Sequence, residues 1–271
     1  MKVGTIATVT FSILYLCWRA NCVIHDCSKY TRLRPNSRIY GQKKFFVNCF
    51  AKDVESGISD LVVLVDRSGS MWSRASFGGV SMTGYEVAKV FIKSLLSEVR
   101  IAYDATRIAV GTFGYDATID INYILDPTSQ NQKCQFNEDL NKKLPSIGGP
   151  TNIKGAFDRA LEIFKKMDDD PQRHHTRHNA NRVVLLLSDG RSNYYNGRWG
   201  WIDPTPVVNT LKNQGVIVYT VGVTYSADRY NLQKWASHTS AFLFASSFSH
   251  MLALARNIRG GKELYNRLSI I

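Results

Sequence analysis

The sequence holds no Asn-x-Ser/Thr triplet, so N-glycosylation is not expected. It holds no G-x-S-x-G string, which leaves a serine hydrolase without support. The glycine-rich stretch at 148–155 does not fit G-x-x-x-x-G-K-[ST] and is no phosphate-binding loop. Internal repeats and long low-complexity runs are absent. No apolar run reaches the ~20 residues of a membrane-spanning helix, so no stable membrane span is expected. Cysteine is sparse, at positions 17, 22, 27, 49 and 134.

At 271 residues the chain is long for one domain and short for two. An apolar content of 44% and a mean hydropathy of −0.18 are ordinary for a globular protein with a large core. The net charge of +12, from 34 basic and 22 acidic residues, implies affinity for polyanions. Nucleic acid, anionic membrane and sulfated glycans are the candidates, and compartment decides among them. Lys2 precedes an apolar stretch from Thr5 to Trp18 that ends near Arg19-Ala20-Asn21-Cys22. This reads as a secretory signal peptide over 1–21, with an uncleaved signal anchor as the alternative; the signal peptide makes the chain secreted and extracellular and removes nucleic acid. Cleavage after Ala20 leaves four cysteines and three pairings; cleavage after Cys22 leaves three cysteines. A bridge to Cys134 would tie the N-terminal segment onto the main domain. Residues 22–59 form a basic, cysteine-containing extension. Lys29, Arg32, Arg34, Arg38, Lys43 and Lys44 lie in it with no acid between them, as a glycan- or membrane-binding strip or as a plain solvated segment.

The main domain is organised around Leu61-Val62-Val63-Leu64-Val65-Asp66-Arg67-Ser68-Gly69-Ser70. Five consecutive apolar residues read as a strand buried on both faces, and the run stops on a carboxylate. Ligands of an open α/β sheet bind outside the carboxyl ends of its strands. Asp66, Ser68 and Ser70 therefore share a loop at the functional edge, each able to present oxygen to a hard cation such as Mg²⁺. Alone, the string also reads as a strand-to-helix turn whose Ser and Asp cap amides. Val183 to Leu187 form a second buried strand running through Ser188 to Asp189-Gly190, and Gly148-Gly149-Pro150 deliver Thr151 just before a helix-period segment, where an N-cap threonine would also stand.

The remaining pattern alternates. Ser73 to Met82 reads as loop, then comes a helix through Val87, Phe91 and Leu95. Thr106 to Phe113 is a buried strand, and Ile119 to Leu125 alternates as an edge strand. Asn137 to Leu144 reads as a short polar helix, Ala156 to Phe164 as another, and Asp168 to Asn181 as a polar loop. Val207 to Leu211 marks a helix, Val216 to Val223 a strand, Asn231 to Ala236 a short helix, Ala241 to Phe248 the last strand, and His250 to Leu268 a final helix. These alternations predict an α/β, doubly wound, mostly parallel sheet with helices on both faces and one antiparallel edge strand.

Together, Asp66, Ser68, Ser70, Thr151 and Asp189 resemble the metal-ion-dependent adhesion site of von Willebrand factor A domains, in residue types, spacing and order. The resemblance covers about 60–259, leaving 260–271 as a tail that continues the last helix. Gln132-Lys133-Cys134, Gly148 to Phe157 and Leu252-Ala253-Leu254-Ala255-Arg256 resemble the A domain of secreted sushi, von Willebrand factor A, EGF and pentraxin domain proteins. Matrilins and collagen VI are more distant likenesses. Two departures stand: Ala241 to Phe248 carries no cysteine to partner Cys134, and no sushi or EGF modules follow.

The resemblance implies the Rossmann-like fold of that family. It also implies that the three hydroxyls coordinate Mg²⁺ (or Mn²⁺ or Ca²⁺) directly, while the two Asp act largely through bound waters. Such a cation is poorly neutralised, and a protein partner's Glu or Asp supplies the missing anion. That chemistry adheres rather than cleaves, so no catalytic residue and no enzymatic activity are expected. Trp72, Tyr194, Tyr195, Trp199 and Trp201, on loops after the two Asp-bearing strands, are candidate ligand contacts or local packing. Arg173-His174-His175-Thr176-Arg177-His178 resembles a zinc cluster less than an exposed loop, since two arginines disfavour a cation. A sulfated-glycan scaffold with an incidental metal site is the alternative. An Mg²⁺-dependent phosphoryl-transfer enzyme is disfavoured by the lack of a second carboxylate beside Asp66.

Overall fold

The computed structural model describes residues 46, 49–54, 58–77, 79–97, 99–126 and 133–258. The signal peptide, the basic strip, Cys22, Cys27 and the tail 260–271 lie outside them.

Continuous apolar runs form the central strands because both faces are covered. β1 (Ser59–Asp66) and β4 (Thr106–Phe113) are buried along their whole length. β6 (Asn181–Ser188) and β9 (Ile217–Val223) are buried after their first residues. With β5 (Ala117–Asn122) and β10 (Phe242–Ala245) they make a six-stranded sheet in the order β10-β9-β6-β1-β4-β5. All pairs are parallel except β4–β5, the antiparallel edge that the alternation of 119–125 foretells.

The chain runs from β1 outward to β4 and β5, then returns to the other side of β1 for β6, β9 and β10. Right-handed crossovers in opposite directions place their helices on opposite faces. α1 (Gly84–Leu95) packs against α2 (Lys133–Lys142) and α6 (Phe248–Ile258). The other set joins α3 (Ile153–Asp169), α4 (Thr205–Asn213) and α5 (Arg229–Trp235). β1 and β6 are neighbours whose continuations diverge, so a crevice opens beyond their carboxyl ends.

Several expectations change. Ser73 to Met82 is not all loop: β2 (Arg74–Phe77) and β3 (Val80–Thr83) pair as a hairpin, their ladder supplying partners that the glycine and serine content obscured. α2 begins at Lys133, not Asn137, and Lys133 Nζ donates to the carbonyl oxygens of Leu96 and Val99. The last strand is only Phe242–Ala245, because a 3-10 turn (Thr239–Ala241) precedes it and Phe248 already opens α6. Phe46, Cys49, Phe50 and Val54, on the side of residue 60 given to the extension, are buried in the same core. Phe46 and Phe50 stand edge-on to Tyr219 with ring centres 5.4 and 5.2 Å away, and the Tyr219 hydroxyl donates to Asp53 Oδ2 at 2.7 Å. Cys49 is disulfide-bonded, whereas Cys134 is a free, exposed thiol, so Cys134 ties nothing to the N-terminal segment.

Candidate metal centre

Three connections meet in the crevice. The first is the 3-10 turn Gly69–Trp72 after β1, the second the glycine turn before α3, and the third the loop after β6. Gly148 and Gly149, with φ of 156° and 89°, make the middle turn. There, Gly148 N–H donates to the Arg67 carbonyl at 2.7 Å and Gly69 N–H to the Gly149 carbonyl at 2.9 Å. A side chain at Gly149 would strike the Tyr115 ring, 2.6 Å from where its Cβ would sit. The first two connections are thereby locked together by backbone alone.

These anchors bring four of the five expected site residues into one hydrogen-bonded group. Asp66 is wholly buried at the end of β1. It accepts from Ser68 N–H at 2.8 Å and from the Ser188 hydroxyl at 2.6 Å. The Ser68 and Ser70 hydroxyls lie 3.0 Å apart, and Ser70 donates to Asp189 Oδ1 at 2.7 Å. Thr151 completes the set across the crevice: a Cβ added to Gly190 would come within 3.0 Å of its Oγ1. Asn152, not Thr151, caps α3, its Oδ1 accepting from Gly155 N–H at 2.9 Å. The Thr151 hydroxyl is thus left over from helix capping. Its backbone is clamped to Asn193, which accepts from Thr151 N–H at 2.8 Å and returns its own N–H to the Thr151 carbonyl at 3.0 Å. Ser70, Thr151, Asp189, Gly190, Arg191, Asn193 and Ser226 line an open cavity of about 390 Å³.

Charge is the cost of this arrangement. Burial raises the Asp66 carboxyl above its ordinary range, against the hydrogen bonds from Ser188 and Ser68. Asp189 is pushed up to about 7, by burial first and by the Asp66 charge second, with Ser70 opposing. Two carboxylates held this way ask for a cation. The donor set fits one: around Mg²⁺, with ligands at 2.0–2.1 Å, adjacent octahedral oxygens stand about 3 Å apart. The Ser68–Ser70 and Ser70–Asp189 separations of 3.0 and 2.7 Å are of that size. Among the described residues no three His, Cys, Asp or Glu converge as a cage.

Ser188, Asn193, Ser226 and Thr224 were not anticipated. Ser226 donates to the Asp189 carbonyl at 2.8 Å and pairs with the Thr224 hydroxyl at 2.6 Å. Thr224 sits at φ 67°, costly for a β-branched residue. Its N–H is held by the Ala245 carbonyl at 2.8 Å. Ser188, beside Asp189, carried a local signal; Asn193 lies on the same loop after β6, and Thr224 and Ser226 reach the site from the connection after β9.

The aromatic candidates divide. Tyr194 and Trp199 face each other across β7 (Tyr194–Tyr195) and β8 (Arg198–Trp199), rings 5.3 Å apart. Tyr115, from the β4–β5 turn, stands edge-on to both at 5.5 and 6.4 Å. Tyr195 turns to Lys154, whose ammonium is 3.9 Å from its ring centre. Trp201 lines a second cavity, and Trp72, 58% exposed, makes no ring contact among the described residues.

A family profile described as the von Willebrand factor type A domain matches residues 60–256. The mouse sushi, von Willebrand factor type A, EGF and pentraxin domain-containing protein 1 is 32% identical over 173 residues, covering 62% of this chain and 4% of that protein. The mouse collagen alpha-5(VI) chain is 24% identical over 209 residues, covering 76% of this chain and 7% of that protein. The match therefore spans a small fraction of either relative. Among solved structures, proximal thread matrix protein 1 from the mussel byssus, with a zinc-occupied MIDAS motif, superposes with a TM-score of 0.55 at 23% identity, over 74% of this chain and 45% of that one. Manganese-loaded Plasmodium vivax TRAP protein gives 0.52 at 19% identity, over 76% and 74%. At such identities the structural likeness shows the fold.

Proposed function

The chain belongs to the von Willebrand factor type A domain family, and from that premise we propose that it is a secreted, non-enzymatic adhesion module of the extracellular matrix. It binds protein ligands through a divalent cation, Mg²⁺ or else Mn²⁺ or Ca²⁺, held by Asp66, Ser68, Ser70, Thr151 and Asp189. One observation carries the reading: Ser68, Ser70 and Asp189, from two connections, stand at 2.7–3.0 Å spacings, and Ser70, Asp189 and Thr151 of the third connection line one open cavity.

When bound, the cation supplies a Lewis-acidic site for a partner's carboxylate. Ser68, Ser70 and Thr151 would hold it with neutral oxygens. Asp66, buried and already accepting two hydrogen bonds, supplies charge from behind. The likeness to a collagen chain supports this reading. The cavity lining contains no histidine, lysine or third carboxylate to serve as a base, which favours adhesion over phosphoryl transfer. The glycan alternative has less to stand on within the domain, because residues 60–258 hold 22 basic and 18 acidic side chains. Most of the excess charge lies in the flanking segments.

The test is calorimetric binding of acetyl-glutamate amide as the simplest partner. Saturable binding in Mg²⁺, abolished by chelator and in Asp189→Ala, is expected. Binding that persists in chelator contradicts the reading.

A further inference from the structure

Arg191 lies two residues beyond Asp189, with its guanidinium exposed, and forms no hydrogen bond, ion pair or ring contact among the described residues. Six arginines of the domain sit in ion pairs: Arg67 with Asp116, Arg100 with Asp104, Arg159 with Glu162, Arg182 with Asp168, and both Arg107 and Arg177 with Asp60. Arg191 is also the side chain that, with Asn193, lines both the metal cavity and an adjoining one of about 420 Å³. The second cavity holds another unsatisfied group: Ser192 is 1% exposed, and its Oγ has no partner among the described residues. A buried hydroxyl without a partner costs free energy that a ligand's polar group recovers.

We propose that Arg191 reads a second acidic side chain of the partner, so that the ligand is an extended polypeptide segment with acidic residues at alternate positions. One carboxylate sits on the cation and the other on Arg191. This rests on the adhesion reading above and specifies its ligand. A lone carboxylate satisfies the cation but leaves the neighbouring guanidinium uncompensated. A second one meets the planar fork of Arg191, which suits bidentate carboxylate recognition. In an extended chain, residues i and i+2 share a face, about 7 Å apart. Such a segment crosses from one cavity into the next. Beyond Arg191 it meets Trp201, which covers an apolar stem, and the Ser192 hydroxyl. Asp228 on the second cavity limits the run of negative charge, its carboxylate capping α5 at Asn231. A third anion would face that carboxylate, which favours a polypeptide over a sulfated glycan.

The experiment compares acetyl-Glu-Gly-Glu-amide with acetyl-Glu-Gly-Gln-amide on the Mg²⁺-loaded protein. The wild type is expected to prefer the diacid by about tenfold. Arg191→Gln is expected to bring that ratio close to one, and Arg191→Lys to leave part of it, since the charge remains and the fork is lost. The ratio is the readout, so a change in cation affinity that weakens both peptides alike does not imitate the effect. Equal binding of the two peptides by the wild type, or a preference that survives in Arg191→Gln, overturns this inference and leaves the adhesion reading standing. Failure of both peptides to bind overturns both. A heparin fragment that binds more tightly than the diacid, and does so through Arg191, overturns the assignment to polypeptide.

Discussion

Asp60→Ala is expected to destabilise the domain by about 3–5 kcal/mol, a large share of the roughly 5–15 kcal/mol that holds a typical domain folded. Asp60 opens β1 and is wholly buried. Its register partner on β4 is Arg107, also wholly buried, which donates through Nε and Nη2 at 2.7 and 3.0 Å. Arg177 adds a third donor at 2.5 Å and reaches the carbonyls of Ser59 and Ala105. Arg107 also donates to the carbonyls of His174 and His175. One carboxylate thus holds two guanidiniums, and its removal leaves both charges buried and facing each other. Urea denaturation reads the loss. This network also places the Arg173–His178 loop: its second arginine closes the floor of the sheet through Asp60 and the carbonyls of Ser59 and Ala105.

The second large effect is a pH dependence of the metal-free protein. The sign follows from the direction of the shift. Asp189 is raised from 3.8 to about 7 in the fold, so its protonated form is favoured there. A raised acid contributes stability that is fully present below its unfolded pKa and lost as pH rises through its folded one. In chelator, stability should therefore fall by a few kcal/mol between about pH 4 and pH 7, as Asp189 ionises beside Asp66. Asp189→Asn should flatten the profile. Saturating Mg²⁺ should restore stability at neutral pH, because the cation binds the folded state alone. Thermal unfolding across that range, with and without Mg²⁺, checks all three statements.

The central strands and both carboxylates were legible in the sequence because they obey local rules. A valine- and leucine-rich run that ends on Asp is a buried parallel strand delivering a carboxylate to the sheet's edge. The short hairpins were not, although each carried its signal. Asn196-Gly197, at φ 47° and 81°, is the turn that joins β7 to β8, yet strands of two residues offer no alternation to notice. Gly79, at φ 82°, lies between β2 and β3. Partners remote in sequence were out of reach for a different reason. Asn193 clamps Thr151 across 42 residues, Arg177 meets Asp60 across 117, and Tyr219 meets Asp53 across 166. Such pairs are products of strand order and register, which local patterns do not encode. Cap chemistry was similarly hidden: Thr151 and Asn152 are both cap formers, and only the geometry shows that Asn152 takes the role.

The most direct test of the account is a calorimetric Mg²⁺ titration of the wild type against Asp66→Ala and Thr151→Ala. Thr151→Ala is the sharper probe, since its clamp to Asn193 runs through the backbone and survives the change. The account predicts single-site binding to the wild type, with proton release near neutral pH, and loss of that binding in both variants. Absence of binding to the wild type, or binding indifferent to both substitutions, would contradict it.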